Sequence, residues 1–172
     1  ASHMSDEEGA VDRFYAALDE DGRCGEAMDA LADIYSGRED WQGVVRMLKR
    51  KEEITLGVLE KAAVLHRIGA MYHGQLEDTV AATDYFERSV ALDSENIEAA
   101  RPLVEMYLHE RKWERAEPLL EMLIRRLGRS RDQSEGLHRL YHKAGLVAEM
   151  DTMGVSECGP ATHRLLRIGG WM

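Results

Sequence analysis

The sequence predicts an all-α chain, built as a solenoid of antiparallel helix pairs. A tyrosine followed six residues later by a tryptophan occurs twice, as Tyr35 with Trp41 and as Tyr107 with Trp113, and the copies lie 72 residues apart. Tyr72 divides that interval into 37 and 35 residues, close to two units of about 34 residues. A fixed period of this length is typical of stacked helix pairs rather than of an enzyme pocket.

Composition supports this prediction. Of the 172 residues, 44% are hydrophobic and only 6% are aromatic, with three prolines, which favours helices over a β-sandwich. No apolar run reaches the roughly 18 residues of a membrane-spanning helix. We therefore expect no membrane contact and, by default, a cytoplasmic location.

The clearest unit carries Leu65, Ile68, Gly69 and Tyr72 in its first helix. Its second helix carries Ala82, Phe86 and Ser89 and leaves through Asp93-Ser94-Glu95-Asn96. The unit after it has Ala100, Leu103, Val104, Tyr107, Ala116, Leu120 and Leu123, and the unit before it has Met28, Leu31, Ala32, Tyr35, Val44, Leu48 and Lys51.

These residues resemble the tetratricopeptide repeat (TPR) family, in particular segments of long bacterial arrays. The resemblance covers about residues 10 to 150 and implies a right-handed solenoid whose first helices line a concave groove. Lys51 fits poorly, because a small residue usually occupies its position. Bulky residues of the first helix should interlock with small ones of the second, so we expect the five tyrosine and tryptophan residues of the repeat to belong to the core.

The domain organisation follows from the repeat. Residues 1–4 read as a cloning scar, residues 5–153 as an array of a half repeat, three repeats and a partial fourth, and residues 154–172 as an irregular C-terminal tail or capping helix. We expect the chain to be a fragment of a longer array. Capping signals and periodicity predict helices at about 7–19, 25–36, 41–53, 56–73, 78–91, 97–109, 113–127 and 133–149, with turns at Ser36-Gly37 and His73-Gly74. Thr55 is the expected cap of the fourth helix, and Pro102 and Pro118 predict bends or delayed helix starts.

Charge is distributed unevenly along the chain. The formal net charge is −10, with −7 in residues 1–54, −6 in residues 55–124 and +3 in residues 125–172. Nucleic-acid binding depends on Lys and Arg contacts to phosphates, so we expect no nucleic-acid partner. The basic run from Arg125 to Arg131 is explained as the end of a helix, where cations complement the dipole.

The resemblance also implies which side chains face the groove. These are the residues on the exposed stripe of each first helix: Glu26, Asp29 and Asp33; Ala63, His66, Ala70 and His73; Glu98, Arg101, Glu105, Leu108 and His109; and Arg139, His142, Leu146 and Glu149. The first stripe is acidic, so the expected partner is a protein or peptide with basic and apolar residues, and acidic peptides should be rejected there. A C-terminal carboxylate is disfavoured, because related clamps place Lys and Asn where Asp29 and Asp33 stand.

No catalytic or metal motif is evident, and we expect no cofactor. His66 and His73 lie about 10.5 Å apart along one helix, too far to share a zinc ion, and the pair His138 and His142 has no third ligand. Cys24 and Cys158 show no metal-binding spacing.

The sequence therefore predicts a non-catalytic protein-interaction scaffold. One alternative is self-assembly, as a homodimer through the open ends of the solenoid. The other is an enzyme with a site that the motifs do not show.

Overall fold

The computed structural model describes residues 2–127, with side chains placed for residues 8–126. Within that range the chain forms only helices: α1 (Ser2–Glu20), α2 (Gly25–Gly37), α3 (Trp41–Ile54), α4 (Val58–Gly74), α5 (Thr79–Leu92), α6 (Ile97–His109) and α7 (Trp113–Leu127). The helices predicted from sequence are confirmed to within two residues, except that α1 begins five residues earlier. The predicted helix at 133–149 and the tail at 154–172 lie outside the described residues.

The chain divides into two compact units, Ala1–Ser94 and Glu95–Met172. The first unit contains α1 to α5, and the described part of the second contains α6 and α7. The prediction of a single array over residues 5–153 stays a prediction.

Successive helices form antiparallel pairs. In the pair α2 and α3, Asp29 contacts Lys51 near one end and Tyr35 approaches Gly43 near the other. In the pair α4 and α5, the hydroxyl of Ser89 donates to the carbonyl of Ala62 at 2.8 Å, while Phe86 lies against Gly69. Residue numbers therefore rise on one helix as they fall on its neighbour.

Two glycines allow the paired helices to approach each other closely. A Cβ atom at Gly43 would lie 2.7 Å from Cγ of Tyr35, and one at Gly69 would lie 2.8 Å from Cδ1 of Phe86. Real Cβ atoms do not approach other atoms so closely, so each glycine is the position that admits a ring from the facing helix.

Leu65, Ala82 and Phe86 are buried in the pair α4 and α5, and a further core cluster of the first unit runs through α1 to α4. Its buried residues are Leu18, Ala27, Met28, Leu31, Ala32, Val44, Val45, Met47, Leu48, Val64 and Ile68. The expectation that all five repeat aromatics belong to the core is correct only in part. Tyr107 is 4% exposed, whereas Tyr35, Trp41, Tyr72 and Trp113 are half-buried. Tyrosine and tryptophan keep a polar end, which is readily accommodated at the edge of a core.

The turns inside the pairs share one backbone feature. Glu39, Glu77 and Arg111 have φ angles of 57°, 53° and 58°, and each stands two residues before α3, α5 or α7 begins. The sequence placed these turns at Gly37 and Gly74, but those glycines are the last residues of α2 and α4. A positive φ angle is unfavourable for any residue other than glycine, so the packing around each of these residues holds it in this conformation.

Side chains cap three of the helices. Asp40, Asp78 and Asn96 accept hydrogen bonds from the backbone N–H groups of Gly43, Ala81 and Ala99 at 2.9, 3.0 and 3.0 Å. The prediction for Thr55 was wrong, because Thr55 follows the end of α3 and its hydroxyl donates to the carbonyl of Lys51 at 2.7 Å. Gly57 precedes α4 without a side-chain cap.

Both prolines lie inside helices. Pro102 belongs to α6 and Pro118 to α7, and these helices begin at Ile97 and Trp113. Neither proline delays a helix start. Each is the sixth residue of its helix, so its missing N–H removes one i→i−4 hydrogen bond just after the first turn, and the helix continues through it.

Candidate functional site

The predicted groove residues of the first unit form two stripes, one on α2 and one on α4. Glu26, Asp29 and Asp33 follow the spacing i, i+3, i+7, which places them on one face of α2. Ala63, His66, Ala70 and His73 continue the same spacing on α4. Glu26, Asp33, Ala63 and His73 are exposed, and Asp29, His66 and Ala70 are half-buried. We call these seven residues the α2/α4 stripe.

The structure brings the two helices of the stripe together at Asp29. One carboxylate oxygen of Asp29 lies 3.2 Å from Nη1 of Arg67 on α4, and the other pairs with Nζ of Lys51 on α3. Asp29 therefore links α2 to both of these helices, and its charge is already balanced inside the chain. Glu26 and Asp33 form no ion pair with the described residues, so they are the carboxylates of this stripe that a partner can use.

The same contacts explain Lys51, which the repeat pattern treated as a poor fit. The equivalent position in the next pair is Ser89, which is buried and bonded to the backbone of α4. Lys51 is longer, and its amino group reaches the carboxylate of Asp29 instead of packing as a small residue. Asp29 and Lys51 thus form one ion pair between α2 and α3. Because they lie 22 residues apart, the sequence does not indicate this pair.

The histidines of the stripe flank an aromatic ring. The ring centroids of His66 and His73 lie 5.8 and 6.4 Å from that of Phe86. Phe86 is 1% exposed, so both imidazoles rest on the edge of the core. Among the described residues, no three His, Cys, Asp or Glu side chains are grouped closely enough to hold a metal ion.

In the second unit the predicted residues lie on α6. Glu98, Arg101, Glu105 and His109 are exposed, and Leu108 is half-buried. The opposite face of α6 carries the buried residues Ala99, Ala100, Leu103, Val104, Met106 and Tyr107. Arg139, His142, Leu146 and Glu149 lie outside the described residues.

Solved structures with a similar fold cover nearly the whole chain. PilF of Pseudomonas aeruginosa aligns with a TM-score of 0.61 and 17% identity over 94% of this chain and 68% of its own. YrrB, described as a TPR protein with an unusual peptide-binding site, aligns with a TM-score of 0.59 and 17% identity over 96% of this chain and 77% of its own. MamA aligns with a TM-score of 0.57 and 18% identity over 96% of this chain and 88% of its own.

Sequence comparisons gave no further relatives. No protein-family model matches the chain, and no curated protein sequence matches it. None of the helices described is both long and apolar enough to cross a membrane. The helix pairs, their interlocking glycines and the structural neighbours agree, and the chain has the tetratricopeptide-like all-α fold.

Proposed function

We propose that the chain is a non-catalytic scaffold that binds a peptide or a helix of a partner protein along its first helices. The proposal rests on one observation. On α2 and α4, the face opposite the buried residues carries a stripe whose exposed members are Glu26, Asp33, Ala63 and His73. Exposed first helices of stacked pairs are the surfaces on which such scaffolds hold extended segments. A structural neighbour described as having a peptide-binding site supports the same proposal.

The side chains of the stripe favour a partner with basic and apolar residues. Glu26 and Asp33 offer carboxylates that no described residue neutralises, and Ala63 and Ala70 present small apolar side chains, exposed and half-buried, on α4. Burial of that side chain would supply most of the affinity, and the charges would set orientation and association rate.

Site-specific photo-crosslinking tests this proposal. A photoreactive residue replaces Ala63 on the stripe in one variant and Ala91 on α5 in the matched control; both alanines are exposed. We expect proteins from the source cell to crosslink at position 63 and not at position 91. Equal crosslinking at both positions, or crosslinking at 91 alone, would place the partner on another surface.

Self-association is the second candidate function, favoured by an exposed apolar segment that leads from the end of α3 into the first turn of α4. Leu56, Val58 and Leu59 are 90%, 56% and 65% exposed. Adjacent apolar side chains in water favour association with another protein surface. This segment differs from the open solenoid ends that the sequence suggested as the contact, so the two surfaces can be tested separately.

A further inference from the structure

An open cleft of about 370 Å³ lies along α3, on a surface that the groove prediction did not include. Arg46, Lys49 and Arg50 line it, with Val45 and Tyr72 contributing its apolar part. We call these five residues the α3 cleft. Gln42 and Glu53 stand at the two ends of the same helix face and complete the lining. From residue 42 to residue 53 the helix rises about 16 Å.

The three cations of the α3 cleft lack the ion pairs that four other cations of this unit form. Lys51 and Arg67 pair with Asp29, and Lys61 and Arg88 pair with Glu52. In the described part of the chain, no carboxylate lies within 4.0 Å of the charged nitrogens of Arg46, Lys49 or Arg50. Three adjacent cations of an acidic chain thus have no carboxylate partner among the described residues.

Tyrosine rings hold two of these cations in place. The guanidinium of Arg46 lies 5.7 Å from the ring centroid of Tyr35. Nζ of Lys49 lies 5.3 and 5.6 Å from the centroids of Tyr72 and Tyr85, which stack on each other at 5.5 Å. Lys49 also donates to the hydroxyl of Tyr72 at 2.9 Å. A ring face attracts a cation without neutralising it, so these contacts orient the positive charges and leave them available to an anion.

The lining favours a short acidic segment over a long polyanion. Glu53 would repel a ligand that is negative along its whole length, and the rest of the chain carries a large negative charge. Nucleic-acid binding depends on many phosphate contacts, whereas this cleft is about five extended residues long at about 3.3 Å per residue. The half-buried ring of Tyr72 provides the apolar surface beside the cations, since Val45 is only 3% exposed, and this ring suits an apolar side chain between carboxylates.

We propose that the α3 cleft binds an acidic segment of a partner protein, in which Asp or Glu residues flank an apolar side chain. The carboxylates would accept hydrogen bonds from Arg46 and Arg50, and the apolar side chain would pack on the ring of Tyr72. This partner class is additional to the basic one proposed for the α2/α4 stripe, and the two proposals stand on separate residues.

The test uses the full chain and a defined probe. The probe is a fluorescein-labelled, C-terminally amidated peptide with a Glu-Asp-Leu-Glu-Asp core, compared with its Gln-Asn-Leu-Gln-Asn counterpart and with a short DNA duplex. Binding is measured by anisotropy and located by amide chemical shifts. We expect the acidic peptide alone to bind, with shifts on α3 and on the C-terminal half of α4.

Two double variants of equal charge identify the cations. Arg46→Gln/Arg50→Gln should weaken binding by about tenfold or more, by loss of two charge-assisted hydrogen bonds. Arg23→Gln/Arg125→Gln removes the same charge from exposed positions elsewhere and should change the affinity less than twofold. Gln42→Glu adds a carboxylate to the cleft and should also weaken binding. Because this variant keeps both arginines, its loss of binding cannot come from a folding defect caused by removing them.

Several results would overturn the proposal. These results are failure of the acidic peptide to bind, equal binding of the peptide by both double variants, and chemical-shift changes on the α2/α4 stripe. Displacement of the peptide by the DNA duplex would instead indicate a general polyanion surface. None of these results bears on crosslinking at position 63, so the proposed function can fail or succeed independently.

Discussion

At the scale of single residues, the fold depends on positions where a side chain is missing. Gly69 lies against Phe86, which is 1% exposed. The repeat pattern identified Gly69 from sequence, because its spacing from Leu65 and Tyr72 marks the small position of a first helix. The sequence did not predict Gly43 as a close-approach position, because the repeat pattern aligned the next residue, Val44, with the small residue of a second helix.

Gly69→Ala should lower the free energy of unfolding by about 1 to 3 kcal/mol, the usual cost of forcing an added methyl into a packed interior. Gly74→Ala is the matched control, since a Cβ there would meet nothing within 4 Å. That substitution should be neutral or stabilising, because alanine is the better helix former. Denaturant midpoints check both variants, and equal losses would mean that Gly69 is not the close-approach position.

Alkaline pH should weaken the fold through Tyr15. Its hydroxyl shares a 2.7 Å hydrogen bond with the hydroxyl of Tyr35, and this bond is the main reason that the pKa of Tyr15 is raised above its usual value of 10.0. The folded state thus holds the proton more tightly than the unfolded state. The resulting stability is fully present below the unfolded pKa and is lost as pH rises through the folded one.

The measurement is the melting temperature followed upward from about pH 9. Tyr15→Phe should be less stable than the native chain at neutral pH, and the difference should shrink as pH rises above 10. Lys49 contributes in the same direction, since its hydrogen bond to Tyr72 raises the pKa of Lys49. A gap between Tyr15→Phe and the native chain that stays constant across this range would show that the tyrosine pair does not titrate as described.

At the scale of helices, the starts are better defined by the sequence than the turns before them. Asp40, Asp78 and Asn96 stand where α3, α5 and α6 begin, and each accepts a hydrogen bond from the backbone, although the sequence predicted only Thr55 among the described residues as a cap. The left-handed residues Glu39 and Glu77 could not be predicted, because nothing in a glutamate indicates a positive φ. Those angles are imposed by the helices on either side.

Asp78→Ala should destabilise the chain by about 1 kcal/mol, because the N–H of Ala81 then loses its acceptor. Asp78→Asn retains an oxygen at the same place and serves as the control. Thermal unfolding followed by circular dichroism provides the measurement. A loss in Asp78→Asn as large as that in Asp78→Ala would assign the effect to charge rather than to capping.

Pairings between helices were the least predictable element of the site. The stripe of α2 stays a prediction as a partner site, and the sequence treated Asp29 as available to a partner. The ion pairs with Lys51 and Arg67 depend on how α3 and α4 pack beside α2, which residue spacing along one helix does not report. Likewise, an overall negative charge conceals the three cations of the α3 cleft.

At the scale of the molecule, the exposed apolar segment at Leu56, Val58 and Leu59 predicts self-association at high concentration. Sedimentation of the native chain should show a weight-average mass that rises with concentration. Leu56→Ser/Leu59→Ser should remove that rise if this segment forms the contact and should leave it unchanged if the solenoid ends form it. A strictly monomeric native chain at high concentration would contradict self-association by either surface.

The central claim is that the first helices bind a partner segment of basic and apolar character. It is tested most directly by titrating the segment crosslinked at position 63 into the native chain and into Glu26→Lys/Asp33→Lys, at low and at high salt. Asp29 is left intact, because reversing it would also break its internal ion pairs. Asp12→Lys/Glu114→Lys reverses two exposed acids that do not belong to the stripe and is the control.

We expect the stripe variant to bind about tenfold more weakly at low salt, equivalent to about 1.4 kcal/mol. Its affinity should also depend less on ionic strength than that of the native chain. The control should match the native chain in both respects. Equal affinity and equal salt dependence in all three proteins would contradict the account and exclude the α2/α4 stripe as the partner site.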